Sequence, residues 1–172
     1  EDSYFYSHSG VNPIAIARAL LKNATSDSLQ GGSTITQQYA KIAYLKPEQK
    51  LSRKVKEVFV SLKVEATYSK SEILEKYLNA VYFGRNAYGV EMASRKYFGI
   101  KASALDPAQS IVLAALVRSP ANYDPDFKPG NFARLVIRFN GIKKNMVAKG
   151  WLTEAEAKSI VFPKFGTSKV ED

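Results

Sequence analysis

Helix-capping signals recur along this chain with few alternating strand patterns between them, and that punctuation points to a mainly α fold. Asn12-Pro13 places an N-cap residue before a proline at the first helical position and opens a helix to about residue 22. The polar segment 23–33 contains Gly31-Gly32 and reads as an exposed loop, after which Ser33 can cap a helix over 34–44. Beyond Pro47 the pattern predicts a long helix over 51–68. Ser69-Lys70-Ser71-Glu72 has capping-box spacing and starts another, ending near Asn79. Further helices are expected over 87–97, 107–117 and 132–149, the last stopped by Gly150. Thr153-Glu154-Ala155-Glu156 caps a short final one.

The chain has 172 residues, a size suited to a single domain over 1–172. With 45% hydrophobic and 24% charged residues it has globular rather than disordered composition. It has no cysteine, which excludes disulfides, thiolate metal sites and cysteine nucleophiles. A net charge of +9 and a pI near 9.6 favour an anionic partner, whether nucleic acid, an acidic membrane face or a phosphorylated substrate. The longest strongly apolar run, 111–117, is far shorter than the ~18 residues of a membrane span and fits a buried helix. The chain begins at Glu1 without an initiator methionine and reads as a piece of a longer protein.

The long helix carries two faces. Val55, Phe59, Leu62 and Ala66 form one apolar stripe, and Arg53, Lys56 and Glu57 lie together roughly opposite. Taken alone, the charged cluster reads as a solvated face laced by an Arg53–Glu57 pair. No GxxxxGK[ST] or GxGxxG loop occurs, and a single histidine, His8, excludes two-histidine metal sites. What remains is a set of carboxylates in basic or aromatic settings. Glu1-Asp2 precedes Tyr4-Phe5-Tyr6, surroundings that favour a proton-accepting carboxylate. Gly31-Gly32-Ser33-Thr34 lets backbone approach a ligand closely at a helix start, where amide groups favour an anion. Gln37, Gln38 and Lys41 continue that helix.

Four ordered segments say more together than any does alone. They are Glu-Asp-x-x-Phe-x-x-His-x-Gly from Glu1 and Gly-Gly-Ser-Thr-Ile-Thr-Gln-Gln from Gly31, then Arg-Lys-x-Lys-Glu from Arg53 and Lys-x-x-Ile-Leu-Glu-x-Tyr-Leu-Asn from Lys70. Their order and content resemble the family 51 glycosyltransferases, the peptidoglycan glycosyltransferase domains of class A penicillin-binding proteins and their monofunctional relatives. The similarity continues through Tyr82-Phe83-Gly84, Tyr88-Gly89 and Tyr97-Phe98-Gly99 and weakens after about Pro120. The resemblance implies a lysozyme-like helical fold with a large lobe and a small membrane-facing lobe. It implies polymerisation of lipid II into β-1,4-linked glycan on the outer face of the bacterial cytoplasmic membrane, with loss of undecaprenyl pyrophosphate from the growing chain.

On this resemblance Glu1 falls on the general base and Glu57 on the second catalytic glutamate, near the donor pyrophosphate and sugar. Ser33, Gln37, Lys41, Arg53, Lys56 and Tyr97 match donor-site positions. His8 is read as structural, orienting the loop that carries Glu1. Moenomycin-type phosphoglycolipids are the implied inhibitors. A divalent cation, Mg or Mn, is compatible with pyrophosphate chemistry, but no cofactor or metal ligand set is required by these residues. Gln49 stands where the family usually has an arginine, and Ala133-Arg134-Leu135-Val136-Ile137 matches the fifth motif only loosely.

The chemistry of the residues agrees with that reading. A leaving pyrophosphate gains negative charge as the glycosidic bond breaks, so Lys and Arg aimed at it stabilise the transition state more than the ground state. Attack opposite the leaving group inverts the sugar centre with one base and no covalent intermediate. Two other classes stay open on the residues alone. One is a lysozyme-like or lytic glycan-cleaving enzyme, which has no use for Lys41, Arg53 and Lys56. The other is a non-catalytic basic module binding anionic lipid or nucleic acid, which has no use for Glu1 and Glu57; the resemblance implies no nucleic-acid partner. Finally, Tyr39, Ile42, Ala43, Tyr44 and Leu45, followed by Lys46 and Lys50, have the make-up of a membrane-interfacial patch.

Overall fold

A computed structural model of the chain describes residues 1–11, 32–45 and 51–166, with only the backbone described at 51–54. The helix expected over 13–22, the loop up to Gly31, and Lys46, Gln49 and Lys50 lie outside the described residues. Within them the fold is mainly α. Eight α-helices are described: α1 Ile35–Tyr44, α2 Leu51–Thr67, α3 Lys70–Ala80, α4 Val90–Phe98, α5 Pro107–Val117, α6 Pro120–Tyr123, α7 Asn131–Ala148 and α8 Glu154–Ser159. The β structure among them is a single isolated bridge, Tyr82 with Tyr88. The chain divides into two compact units, Glu1–Ala80 and Val81–Asp172.

In the first unit a 3₁₀ turn, Phe5–Ser7, precedes α1, and α1 packs on both α2 and α3. Thr34, not Ser33, is the α1 N-cap: its side chain accepts from the Gln37 backbone N–H, and Gln37 Oε1 accepts from the Thr34 N–H. The box at Ser69 is present as expected, with Glu72 Oε2 accepting from the Ser69 N–H at 2.8 Å.

Helix α2 turns the expected way round on its axis only in part. Its stripe residues Val55, Phe59 and Leu62 are 57%, 65% and 43% exposed, whereas Glu57, Ser61 and Val64 on another face are 4% exposed or less. The apolar stripe is thus not the packed face. The inward face of α2 meets α1 through polar and small groups, for on α1 the buried residues include Thr36, Gln37 and Ala40. At Gly10 (φ +83°) the chain crosses α2 so closely that a Cβ there would lie 3.1 Å from the Ser61 carbonyl oxygen.

In the second unit α5, whose apolar run is 111–117, is the buried helix its sequence predicts, with Ile111, Val112, Leu113, Ala115 and Leu116 inside. Asp106 and Gln109 form its capping box, with Pro107 at the first position. Helix α7 packs on α5, α6 and α8 through Leu135 and Phe139. Helix α4 starts at Val90, later than expected, because residues before it form a tight loop. That loop closes through Phe83 N–H to Ala87 O and Ala87 N–H to Gly84 O, with Arg85 and Asn86 both left-handed (φ +49° and +54°).

Candidate active site

The first unit gathers most of the residues singled out by sequence. Glu1 is exposed at the start of a segment whose following residues are firmly tied. Asp2 Oδ2 accepts from the Ile35 N–H at 3.1 Å, placing a carboxylate on the positive end of α1. The same oxygen lies 2.8 Å from His8 Nε2, and the Gly10 N–H donates to His8 Nδ1 at 3.2 Å. With Nδ1 accepting, the proton sits on Nε2, so the imidazole acts as a fixed link between Asp2 and Gly10. The Thr34 hydroxyl donates to the Gly10 carbonyl at 2.7 Å. His8 therefore has the loop-orienting place read from sequence.

On α1, Ser33 lies half-buried just before the cap, Gln37 is 1% exposed one turn in, and Lys41 is exposed in the last turn. Gln37 Nε2 is a buried donor with no hydrogen-bond partner among the described residues. Glu57 on α2 is buried and the adjacent Lys56 exposed, while the Arg53 side chain lies outside the described residues. The sequence reading of this charged cluster as a solvated face therefore fails for Glu57.

Three residues without an assigned role belong to the same neighbourhood. Tyr77 on α3 donates from its hydroxyl to Gln38 Oε1 at 3.1 Å. Burial, helped by the negative charge of Glu1, pushes its phenol well above the usual tyrosine range, so it stays protonated. Glu65 accepts from the Thr36 hydroxyl at 2.5 Å and from Lys70 Nζ at 2.7 Å. Sequence reasoning passed over Glu65 because it is an ordinary helix residue until the fold brings it to Thr36. Thr36 and Tyr77 each lay inside a recognised motif, and that was their available signal.

Tyr97 belongs to the second unit. It is fully buried, and its hydroxyl lies 2.9 Å from the Phe83 carbonyl oxygen and 3.1 Å from Asp124 Oδ2. Burial, with the charge of Asp124 beside it, raises this phenol too. Arg85 grips Asp124 with a fork, Nε to Oδ2 at 2.9 Å and Nη2 to Oδ1 at 2.6 Å, and its guanidinium lies 4.4 Å over the Tyr97 ring. Burial opposes the Asp124 charge, yet these bonds, with one from the Asp126 N–H, hold its carboxyl below the usual range. The observed surroundings of Tyr97 are thus a buried polar cluster of its own unit.

Of the expected interfacial patch, Tyr39 is buried, Leu45 half-buried, and Ile42, Ala43 and Tyr44 exposed. Among the described residues no helix is long and apolar enough to cross a membrane. Nor does any group of three or more His, Asp or Glu side chains among them gather as a metal cage.

A family model described as Transglycosylase matches residues 1–147. The chain is 41% identical to penicillin-binding protein 1A of Aquifex aeolicus over 94% of its own length and 22% of that protein. It is 40% identical to penicillin-binding protein 1A of Escherichia coli over 91% of its length and 18% of that protein. The chain thus spans about a fifth of the length of these curated relatives. Among solved structures, the crystal structure of penicillin-binding protein 1A from Haemophilus influenzae is similar at a TM-score of 0.48 and 23% identity, covering 76% of this chain and 17% of that one. The family model covers most of the chain, and the chain belongs to the transglycosylase family.

Proposed function

We propose that this domain polymerises lipid II at the outer face of the bacterial cytoplasmic membrane, extending a β-1,4-linked glycan with inversion at the donor sugar. Glu1 takes the proton from the 4-hydroxyl of the acceptor lipid II. The freed oxygen attacks the anomeric carbon of the growing chain, and the bond to undecaprenyl pyrophosphate breaks. Lys41, Arg53 and Lys56 supply the positive charge that stabilises the leaving pyrophosphate, and Glu57 orders the donor there. Ser33 and the Gln37 side-chain N–H groups supply hydrogen bonds to the donor. The observation that carries this reading is the orientation of α2, which buries Glu57 while Val55 and Phe59 stay outside. Burying a carboxylate in place of available apolar side chains costs stability, and functional sites are where such inversions are expected.

A divalent cation at the pyrophosphate would find no protein cage among the described residues, so no step is assigned to one. The exposed Ile42 and Tyr44 fit contact with the lipid surface that carries the substrate. The test is polymerisation of labelled lipid II by the full-length protein beside Glu1→Gln and Glu57→Gln, with products run before and after muramidase digestion. The expected result is a muramidase-sensitive ladder from wild type and at least a hundredfold less from each variant. Folded protein that makes no polymer but shortens preformed glycan would replace this reading with a hydrolase.

A further inference from the structure

Among the contacts of the segment that carries Glu1, three tie it to helices α1 and α3, and two of these are at the start of α1. Those are Asp2 on the Ile35 N–H and the Gly10 carbonyl on the Thr34 hydroxyl. The third comes from α3. Lys70 Nζ donates to the His8 carbonyl at 2.5 Å and to Glu65 Oε1 at 2.7 Å, and it lies 4.6 Å over the centre of the Phe5 ring. One ammonium thus holds the segment by a carbonyl and by an aromatic face. Glu65 Oε1 also accepts from the Thr36 hydroxyl, so the carboxylate that aligns Lys70 is itself tied to α1. The side chains of Lys70 and Glu65 are 22% and 9% exposed, sheltered enough for their attraction to resist screening.

We propose that Lys70, aligned by Glu65, is a positioning residue that sets where the Glu1 carboxylate stands for proton abstraction. This rests on the reading of Glu1 as general base. Lys70 acts through the segment: without it the His8 carbonyl and the Phe5 ring lose their tie to α3, while the contacts of Asp2 and Gly10 with α1 remain. A displacement of about 1 Å in a reacting group costs ~100-fold in rate. Removing the ammonium should therefore slow the chemical step and leave substrate binding nearly intact.

The experiment measures kcat and KM for lipid II polymerisation with the full-length protein. Lys70→Met keeps the stem and removes the charge; it should lower kcat roughly 30–100-fold with KM within about threefold. Lys70→Arg, which keeps a cation and its donors, should recover at least a third of that loss. Because Lys70 acts through Glu1, the pair Glu1→Gln/Lys70→Met should be no more than about twofold slower than Glu1→Gln, read at high enzyme concentration. A purely structural role would instead multiply the two losses. If Lys70→Met folds poorly, Glu65→Gln/Lys70→Met removes both half-buried charges; its melting temperature should recover while kcat stays low. The proposal is overturned if Lys70→Met keeps kcat within threefold of wild type while Glu1→Gln is inactive, if the two losses multiply, or if the neutral pair regains both stability and rate. Wild-type activity in Glu1→Gln would overturn the base assignment itself, and this proposal with it.

Discussion

Thr34 offers the sharpest test of what holds the candidate site in place. Its hydroxyl both accepts from the Gln37 N–H at 3.1 Å and donates to the Gly10 carbonyl at 2.7 Å, and the residue is 2% exposed. Thr34→Val preserves the side-chain shape and strands both partners in a buried setting. Each buried group left unpaired costs about 1–3 kcal/mol, so the change should destabilise by about 2–6 kcal/mol. At about 2–4 °C per kcal/mol for a chain of this size, the melting temperature should fall on the order of 10 °C. Thr34→Ser keeps the hydroxyl and loses one methyl, worth about 1 kcal/mol, and should melt only about 2–4 °C below wild type. Thermal melts followed by far-UV circular dichroism on the two variants decide the matter. A Thr34→Val protein that melts at or above Thr34→Ser would show that shape, not the two hydrogen bonds, secures the cap.

The second unit yields two further predictions. A Cβ at Gly84 (φ +99°) would lie 2.6 Å from the Tyr97 hydroxyl, whereas one at Gly99 (φ +73°) would meet nothing within 4 Å. Both alanine variants carry backbone strain of about 1–2 kcal/mol, and Gly84→Ala adds overpacking of about 1–3 kcal/mol, so equal melting temperatures for the two would refute this account. Asp124 has a folded-state pKa below its ordinary 3.8, so the stability it contributes is full above that value and is lost as pH falls through the lower folded one. Asp124→Asn should therefore flatten the loss of stability below about pH 4, and acid melts of the two proteins that run parallel would count against it.

Local signals were legible where a helix carries its own instructions. The boxes at Ser69–Glu72 and Thr153–Glu156, and the continuous apolar run of α5, need nothing from the rest of the chain. The four motifs single out Glu1, Gln37 and Glu57, and the fold then gathers all three in its first unit. Periodicity failed on α2 because it says which residues share a face, not which face is packed. Val55, Phe59 and Leu62 make the more hydrophobic stripe, yet Glu57, Ser61 and Val64 turn inward. Ser61 is small enough to let the backbone at Gly10 approach, a steric demand that hydropathy does not register. Likewise the grip of Lys70 on the His8 carbonyl joins residues 62 positions apart, and no spacing rule reaches that far.

The interior of the first unit has a consequence for how its helices can move. Apolar surfaces are tolerant: one side chain can slide past another and lose little, and cores accept many substitutions of similar volume. The hydrogen bonds that join Thr34 to Gln37 and Thr36 to Glu65 are directional, and each is met at one register only. A slip of α1 by a single turn would leave several polar groups buried without partners at once. The unit is thus held less like packed oil than like a keyed joint, tolerant of little variation in register.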